Sequence, residues 1–266
     1  MQQKKCELIL GIDLEGVNLA LIESGIQLDV DRVTEIGAVM WDCRRQQPVQ
    51  FLSELINEPD HLPISEELTE LTGIDDEMLN RWAHTKQTIP LVLSRLKEMM
   101  ETADYCMAHN AHQYDLPMLG AMFERYGMKM PEKIWIDTLD DIEYPRKITH
   151  KNMAGLEHAH GFINPFPHRA VTDVLSMLKI ASNYDFDRMA KLAASPKIML
   201  VATLDAPNWR NRDEVDDFNR VKNKVSKARF RWDAGQKRWT KKVHKVLFDE
   251  NKLNLDFDFT IENELF

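Results

Sequence analysis

The 266-residue chain is poor in cysteine: Cys6, Cys43 and Cys106 are scattered and odd in number. No Cys-x-x-Cys pair occurs, so neither a disulfide framework nor a structural zinc site is indicated. Reduced thiols buried in strands are the expectation. Long apolar runs are missing too. Cys6–Leu14 and Ile198–Thr203 are strand-sized, far too short to cross a bilayer. The first residues, Met1–Lys5, lead into a strand-like run without the apolar core and small-residue cleavage site of a signal peptide. The chain therefore reads as cytoplasmic, without membrane contact. There is no internal repeat and no low-complexity tract. What is present is 44% hydrophobic content, ample for a core in one large domain or one large plus one small domain.

A net charge of −9 argues against a passive nucleic-acid coat, but the charge is unevenly spread. Residues 219–245 carry 11 Lys/Arg against the single acid Asp233. An acidic body with one basic stripe is compatible with an anionic polymer as substrate. A solvated helix and hairpin would look the same.

Cys6–Glu15, Val33–Cys43 and Val49–Leu55 read as three successive strands, which suggests an antiparallel meander. Helical patterns follow at Ser65–Leu71, with Ser65 as N-cap, and at Asp75–Trp82 and Ile89–Met100. Tyr105–His109 and Ile134–Ile136 read as short strands. Tyr114–Tyr126, Asn152–Ala159, Ala170–Ala181 and Asp185–Ala194 read as helices. Strands first and then mixed elements favour an α/β fold with a mixed sheet flanked by helices. Ser195-Pro196 marks a boundary between residues 1–195 and a small α+β module of βαββ type, residues 196–266. Within it, Ile198–Leu204 reads as a strand, Arg212–Lys227 as a helix and Phe230–Trp239 as a hairpin.

Three segments carry the chemistry. In Ile9-Leu10-Gly11-Ile12-Asp13-Leu14-Glu15-Gly16, strand alternation points Asp13 and Glu15 to one face and Leu10, Ile12 and Leu14 to the other. Paired carboxylates suit hard cations such as Mg²⁺ or Mn²⁺. A strand leaving the sheet into solvent would carry acids as readily. In His109-Asn110-Ala111-His112-Gln113-Tyr114-Asp115, Asp115 opens a helix, where an acid is favourable as a simple cap. In His168-Arg169-Ala170-Val171-Thr172-Asp173, Asp173 flanks the apolar stripe of a helix, an ordinary place for a solvated acid.

Taken together and in order, these segments resemble the DnaQ-like DEDD exonuclease superfamily, with its RNase H-like fold. The resemblance covers residues 6–182. Val33-Thr34-Glu35-Ile36-Gly37-Ala38-Val39 is similar to the family's second strand, and Leu71-Thr72-Gly73-Ile74 to its Thr-Gly turn. The histidine five positions before Asp173, with Arg169 where the tyrosine subclass has Tyr, places the chain with the DEDDh type. His109 precedes Asp115 by six positions, one more than is common, and that longer turn is similar to the three-prime repair exonucleases of the TREX type. Relatives of that type are often dimers, which leaves a homodimer open, although no interface is legible.

The resemblance implies a metal-dependent phosphodiester hydrolase that removes nucleoside 5′-monophosphates from a free 3′ end. Asp13, Glu15, Asp115 and Asp173 would hold two Mg²⁺ ions, replaceable by Mn²⁺, and His168 would be the general base. It further implies that Leu14, Gly16, Val17 and Asn18 seat the terminal nucleotide. His109 and Asn110 are expected to fix the turn that aims Asp115, with Asn110 near the substrate, and Asp137-Thr138 is expected to cap a helix. DNA is the expected substrate. RNA is the alternative, and a silent nucleic-acid-binding module a third reading. His158 and His160, two positions apart, splay on a helix and receive no metal role.

The stretch Ala228–Lys242 interleaves cations with aromatics around a hairpin turn at Asp233–Gln236. Alternation puts Phe230 and Trp232 on one face and Arg229 and Arg231 on the other. Arg229, Arg231, Lys237 and Arg238 are candidate nucleic-acid contacts. Equally, Phe230, Trp232 and Trp239 can be the small module's own core.

Overall fold

The computed structural model describes residues 6–17 and 25–263, which divide into two units, 1–193 and 194–266. In the first unit the strands are β1 (Leu8–Gly16), β2 (Val33–Asp42), β3 (Gln47–Leu55), β4 (Tyr105–Ala108) and β5 (Trp135–Asp137). Its helices are α1 (Glu66–Thr72), α2 (Asp76–Trp82), α3 (Ile89–Thr102), α4 (Asp115–Arg125), α5 (Met153–Ala159), α6 (Ala170–Ala181) and α7 (Phe186–Ala193). The Ser65 hydroxyl accepts from Leu68 N–H and opens α1 as expected, and the structure shows Asp75 capping α2 in the same way through Met78 N–H.

The five strands form one mixed sheet in the order β3-β2-β1-β4-β5. The meander β1-β2-β3 is antiparallel, while β4 and β5 run parallel to β1 and to each other. This is the mixed sheet flanked by helices of an RNase H-like fold. Both faces are covered, so β2 reads as an unbroken buried run rather than an alternating one. On one face Leu10, Ile12 and Leu14 pack with residues of α3 and α4. On the other, Ile9, Val39 and Trp41 pack with Val174, Met177 and Leu178 of α6 and with Phe186 and Met189 of α7.

Two glycines let α6 lie close against the sheet. A Cβ on Gly11 would meet the side chains of Val174 and Leu178, and one on Gly37 would strike the backbone of Ala170 and Val171. Gly37 is the register partner of Asp13. The first turn of α6 is thereby seated directly beside the acidic end of β1.

Cys6 and Cys106 are buried, whereas Cys43 is half-buried in a turn beyond β2, with its Sγ 3.6 Å from that of Cys6; all three are free thiols. Among the described residues, no helix is long and apolar enough to cross a membrane.

In the second unit, β6 (Lys197–Ala202), α8 (Arg212–Lys227), β7 (Arg231–Asp233), β8 (Arg238–His244), α9 (Lys245–Asp249) and β9 (Thr260–Asn263) build an antiparallel sheet ordered β7-β8-β6-β9. The order is therefore βαββαβ, longer than the βαββ expected, because the chain after Phe259 returns as an edge strand along β6. Its core gathers Ile198, Leu200, Val225, Phe230 and Val243, with Trp239 packed against them. Phe230 and Trp232 do not share one environment. Arg229, at φ +62°, turns the chain out of α8 before β7 begins. Phe230 is then buried against the Phe257 ring, while Trp232 stays half exposed.

Candidate active site

Asp13 and Glu15 lie on the α6 face of β1, as their spacing requires. Glu15 stands directly opposite Glu35 of β2, and the register shifts between Glu15 and Gly16. A bulge of this kind turns a strand away at the edge of a site.

Asp115 arrives from the other flank of β1. β4 ends at Ala108, and the chain turns through Asn110 at φ +68°, a conformation that asparagine tolerates better than most residues. The Asn110 N–H donates to Asp137 Oδ1 at 3.0 Å, and His109 Nδ1 lies 2.7 Å from Thr138 Oγ1. Burial pushes the His109 pKa down to about 4, so its imidazole is a neutral structural contact. Asp137 does not cap a helix: its carboxylate accepts from Asn110 and Leu139 N–H and closes turns instead. Asp115, the first residue of α4, is buried, and its Oδ1 accepts from Leu14 N–H at 3.2 Å. That bond sets Asp115 against the backbone between Asp13 and Glu15.

Asp173 lies in the first turn of α6. Its Oδ1 accepts from the Asn164 amide at 2.6 Å and its Oδ2 from His168 N–H at 3.0 Å. His168 is exposed, with φ +60°. Donor atoms of Glu15, His168 and Asp173 all lie within 4.8 Å of one another.

The electrostatics mark the same place. Burial raises the Asp13 pKa well above the carboxylate range, and Asp115, Glu15, Asp173 and Glu35 push it further. Glu15 is raised to about 8 by burial and then by Asp173, Glu35 and Asp115, with Arg169 opposing. Asp115 is raised to about 8 by burial, against the N–H groups that hydrogen-bond it. Asp173 is raised by burial, opposed by His168 and Asn164. Four carboxyls held together against their own repulsion form a set that a divalent cation relieves.

Asp13, Glu15, Asp115, Asp173 and His168 thus converge. Leu14 does not join them: its side chain is in the core on the opposite face, and its N–H is given to Asp115. Val17 is buried and bonds Arg32 O through its N–H. A Cβ on Gly16 would strike the Tyr114 hydroxyl, so glycine here admits that ring beside the site. Asn18 lies outside the described residues. Three supporting residues escaped the sequence reading. Glu35 is a buried acid in an apolar strand, Arg169 binds it, and Asn164 holds Asp173. The signal for Glu35 was a charged residue inside the β2 run.

Residues 10–181 match the RNase_T exonuclease family. The chain belongs to that family. That family is one of exonucleases. A stretch of 77 residues is 35% identical to the PolC-type DNA polymerase III of Mycoplasma genitalium, covering 29% of this chain and 5% of the polymerase. The fold is similar to the nuclease domain of 3′hExo, a DEDDh family member bound to rAMP (TM-score 0.54, 17% identity, 68% of this chain and 92% of that one). It is also similar to Escherichia coli Exonuclease I in complex with a dT13 oligonucleotide (TM-score 0.56, 14% identity, 74% of this chain and 48% of that one).

Proposed function

We propose that residues 1–195 remove nucleoside 5′-monophosphates one at a time from the 3′ end of DNA, with residues 196–266 as an appended module. The observation that carries this reading is the convergence of Asp13, Glu15, Asp115 and Asp173 with His168 beside the first turn of α6. The donor set is all hard oxygen apart from one imidazole, which fits Mg²⁺ or Mn²⁺ and not a thiolate-seeking ion. The four carboxylates would hold two such ions, which, when bound, activate a water and neutralise charge on the scissile phosphate.

The chain's own groups do the rest. His168 takes the proton of the attacking water as the new P–O bond forms and the bond to the 3′-oxygen breaks; the freed 3′-oxygen is protonated from solvent. The exposed imidazole stands at the rim, where a water can reach it, and the backbone N–H of His168, bonded to Asp173, ties the residue to the acidic cluster. The Tyr114 ring, admitted by Gly16, stands close to Asp115, Glu15 and Asp13 and would border the bound 3′ end.

DNA is favoured by the match to a DNA polymerase and by the fold shared with a nuclease solved on a dT oligonucleotide. RNA is the competing substrate, since another similar structure is described as recognising the 3′ end of a histone mRNA stem-loop. Incubating 5′-labelled single-stranded, blunt and recessed DNA beside RNA with Mg²⁺ or Mn²⁺ decides it. Stepwise shortening of DNA from the 3′ end, abolished in Asp13→Ala, is expected. Preferential RNA shortening reverses the substrate assignment, and a protein as inert as Asp13→Ala on every strand overturns the reading.

A further inference from the structure

The second unit holds a surface that the nuclease chemistry leaves unused. β7 is a three-residue edge strand, and Trp232 at its centre is 50% exposed. Its ring rests on Trp239, its register partner on β8, with centroids 5.4 Å apart and planes inclined at 55°. Trp239 in turn packs on the unit's core. One indole is therefore anchored and the other offers a supported, open aromatic face.

Cations lie along the same edge: Arg231 precedes Trp232 on β7 and projects to the other face of the sheet, and Arg229 and Lys237 sit in the turns at the two ends of the strand. Arg238 is neutralised by Glu262 at 2.6 Å, Lys224 by Asp256 and Lys245 by Asp249. Arg229, Arg231 and Lys237 are exposed and form no ion pair among the described residues. Asp233, the single acid of this stretch, is committed: its Oδ1 accepts from Gly235 and Gln236 N–H and closes the hairpin turn. Lys241 is half-buried, its ammonium donating to Ala228 O and lying 5.9 Å from the Phe230 ring centroid; burial and then the charge of Arg229 disfavour its protonated form. An anion brought to this corner would relieve that repulsion. The whole chain carries −9, so the segregation of cations here is local and does not follow from composition.

We propose that the β7–β8 hairpin is a docking surface for single-stranded nucleic acid, with a base stacked on Trp232 and phosphates contacted by Arg229, Arg231 and Lys237. Its ligand class rests on the nuclease reading. A supported aromatic flanked by unpaired cations is the combination that binds single strands without reading sequence, since every base offers a π-face. A duplex would satisfy the cations but not the indole. A protein strand is a poorer fit, because a three-residue edge gives few backbone bonds.

The test uses the full chain carrying Asp13→Asn, in chelator, with a 5′-fluorescein oligo-dT read by anisotropy at several salt concentrations. Trp232→Ala is expected to weaken binding about tenfold, with Trp232→Phe restoring most of it. Arg231→Ala with Lys237→Ala should flatten the slope of log K against log salt by roughly 1.4, for two phosphate contacts on a single strand. A blunt duplex of the same length should be insensitive to Trp232→Ala. Thermal melts check that each variant folds, and the conservative Trp232→Phe and the cation pair stand as independent arms. Parent-like binding in both Trp232→Ala and the cation variant overturns the proposal, as does a parent that binds no oligonucleotide in chelator or a duplex bound with equal dependence on Trp232. Failure here with digestion intact leaves the nuclease reading standing. Hairpin-dependent binding without digestion does the reverse.

Discussion

Glu35 grips Arg169 with both oxygens, at 3.0 Å to Nε and 2.8 Å to Nη2, and takes a third hydrogen bond from Ala170 N–H at 3.0 Å. One carboxylate thereby fixes the residue after His168 and the start of the helix that carries Asp173. Glu35 is 1% exposed, whereas the Arg169 side chain is 36% exposed.

That asymmetry predicts unequal losses. Arg169→Ala strands a buried carboxylate opposite Glu15, and should destabilise the protein by about 3 kcal/mol. Glu35→Gln leaves Arg169 able to hydrate and should cost less. Pairing the two changes should recover part of the loss from Arg169→Ala alone. Urea denaturation of the four proteins checks this; equal losses, or no recovery in the double variant, contradict the assigned roles.

The raised carboxyls make the metal-free protein sensitive to alkali. Glu15 and Asp115 ordinarily titrate near 4.5 and 3.8 and are pushed up to about 8 in the fold. Folding therefore favours their protonated forms. Their contribution is complete below the unfolded pKa values and is lost as pH rises toward about 8. In chelator the melting temperature should fall between about pH 5 and pH 8, less steeply in Asp115→Asn. Mg²⁺ or Mn²⁺ should restore more at pH 8 than at pH 5, because the cation competes with protons. A flat profile in chelator would sink the account.

His168→Ala should lower kcat by about 10²–10⁴ while metal affinity survives. The imidazole lies among the donor atoms of Glu15 and Asp173, so calorimetry with Mn²⁺ separates its two conceivable duties. Retained affinity with collapsed turnover supports the base; affinity lost in step with turnover makes it a ligand.

Gly37→Ala tests the seating of α6. The added methyl would strike the Ala170 and Val171 backbone, which cannot swing aside as a side chain can. A loss of about 1–3 kcal/mol is expected from overpacking, with turnover falling further than stability because Asp173 shifts with the helix. An unchanged melt and rate would show that the helix moves freely.

The residues most legible in the sequence obeyed a local rule. Asp13 and Glu15 follow strand alternation, Ser65 is a cap, and α8 spans the range read from its pattern. What escaped depends on distant pairing. Glu35 looked like one more acid because its partner is 134 positions away, and Asn164 shows its use only when the loop before His168 folds back onto Asp173. Leu14 was drawn to the substrate by its neighbours, although the same alternation that aims Asp13 sends Leu14 into the core. Trp232 and Phe230 shared one pattern, but Phe230 reaches the core while Trp232 sits on the short edge strand β7.

The hydrogen bond from Leu14 N–H to Asp115 joins residues 101 positions apart. The acidic site therefore cannot form in a fragment that stops short of α4 and α6. A nascent polypeptide that has completed the β1–β3 meander carries two of the acids as harmless surface charges. It becomes able to cut only after α4 has docked and α6 has closed over Gly37. Cleaving competence is in this sense a late product of folding, and incomplete chains are disarmed by topology alone.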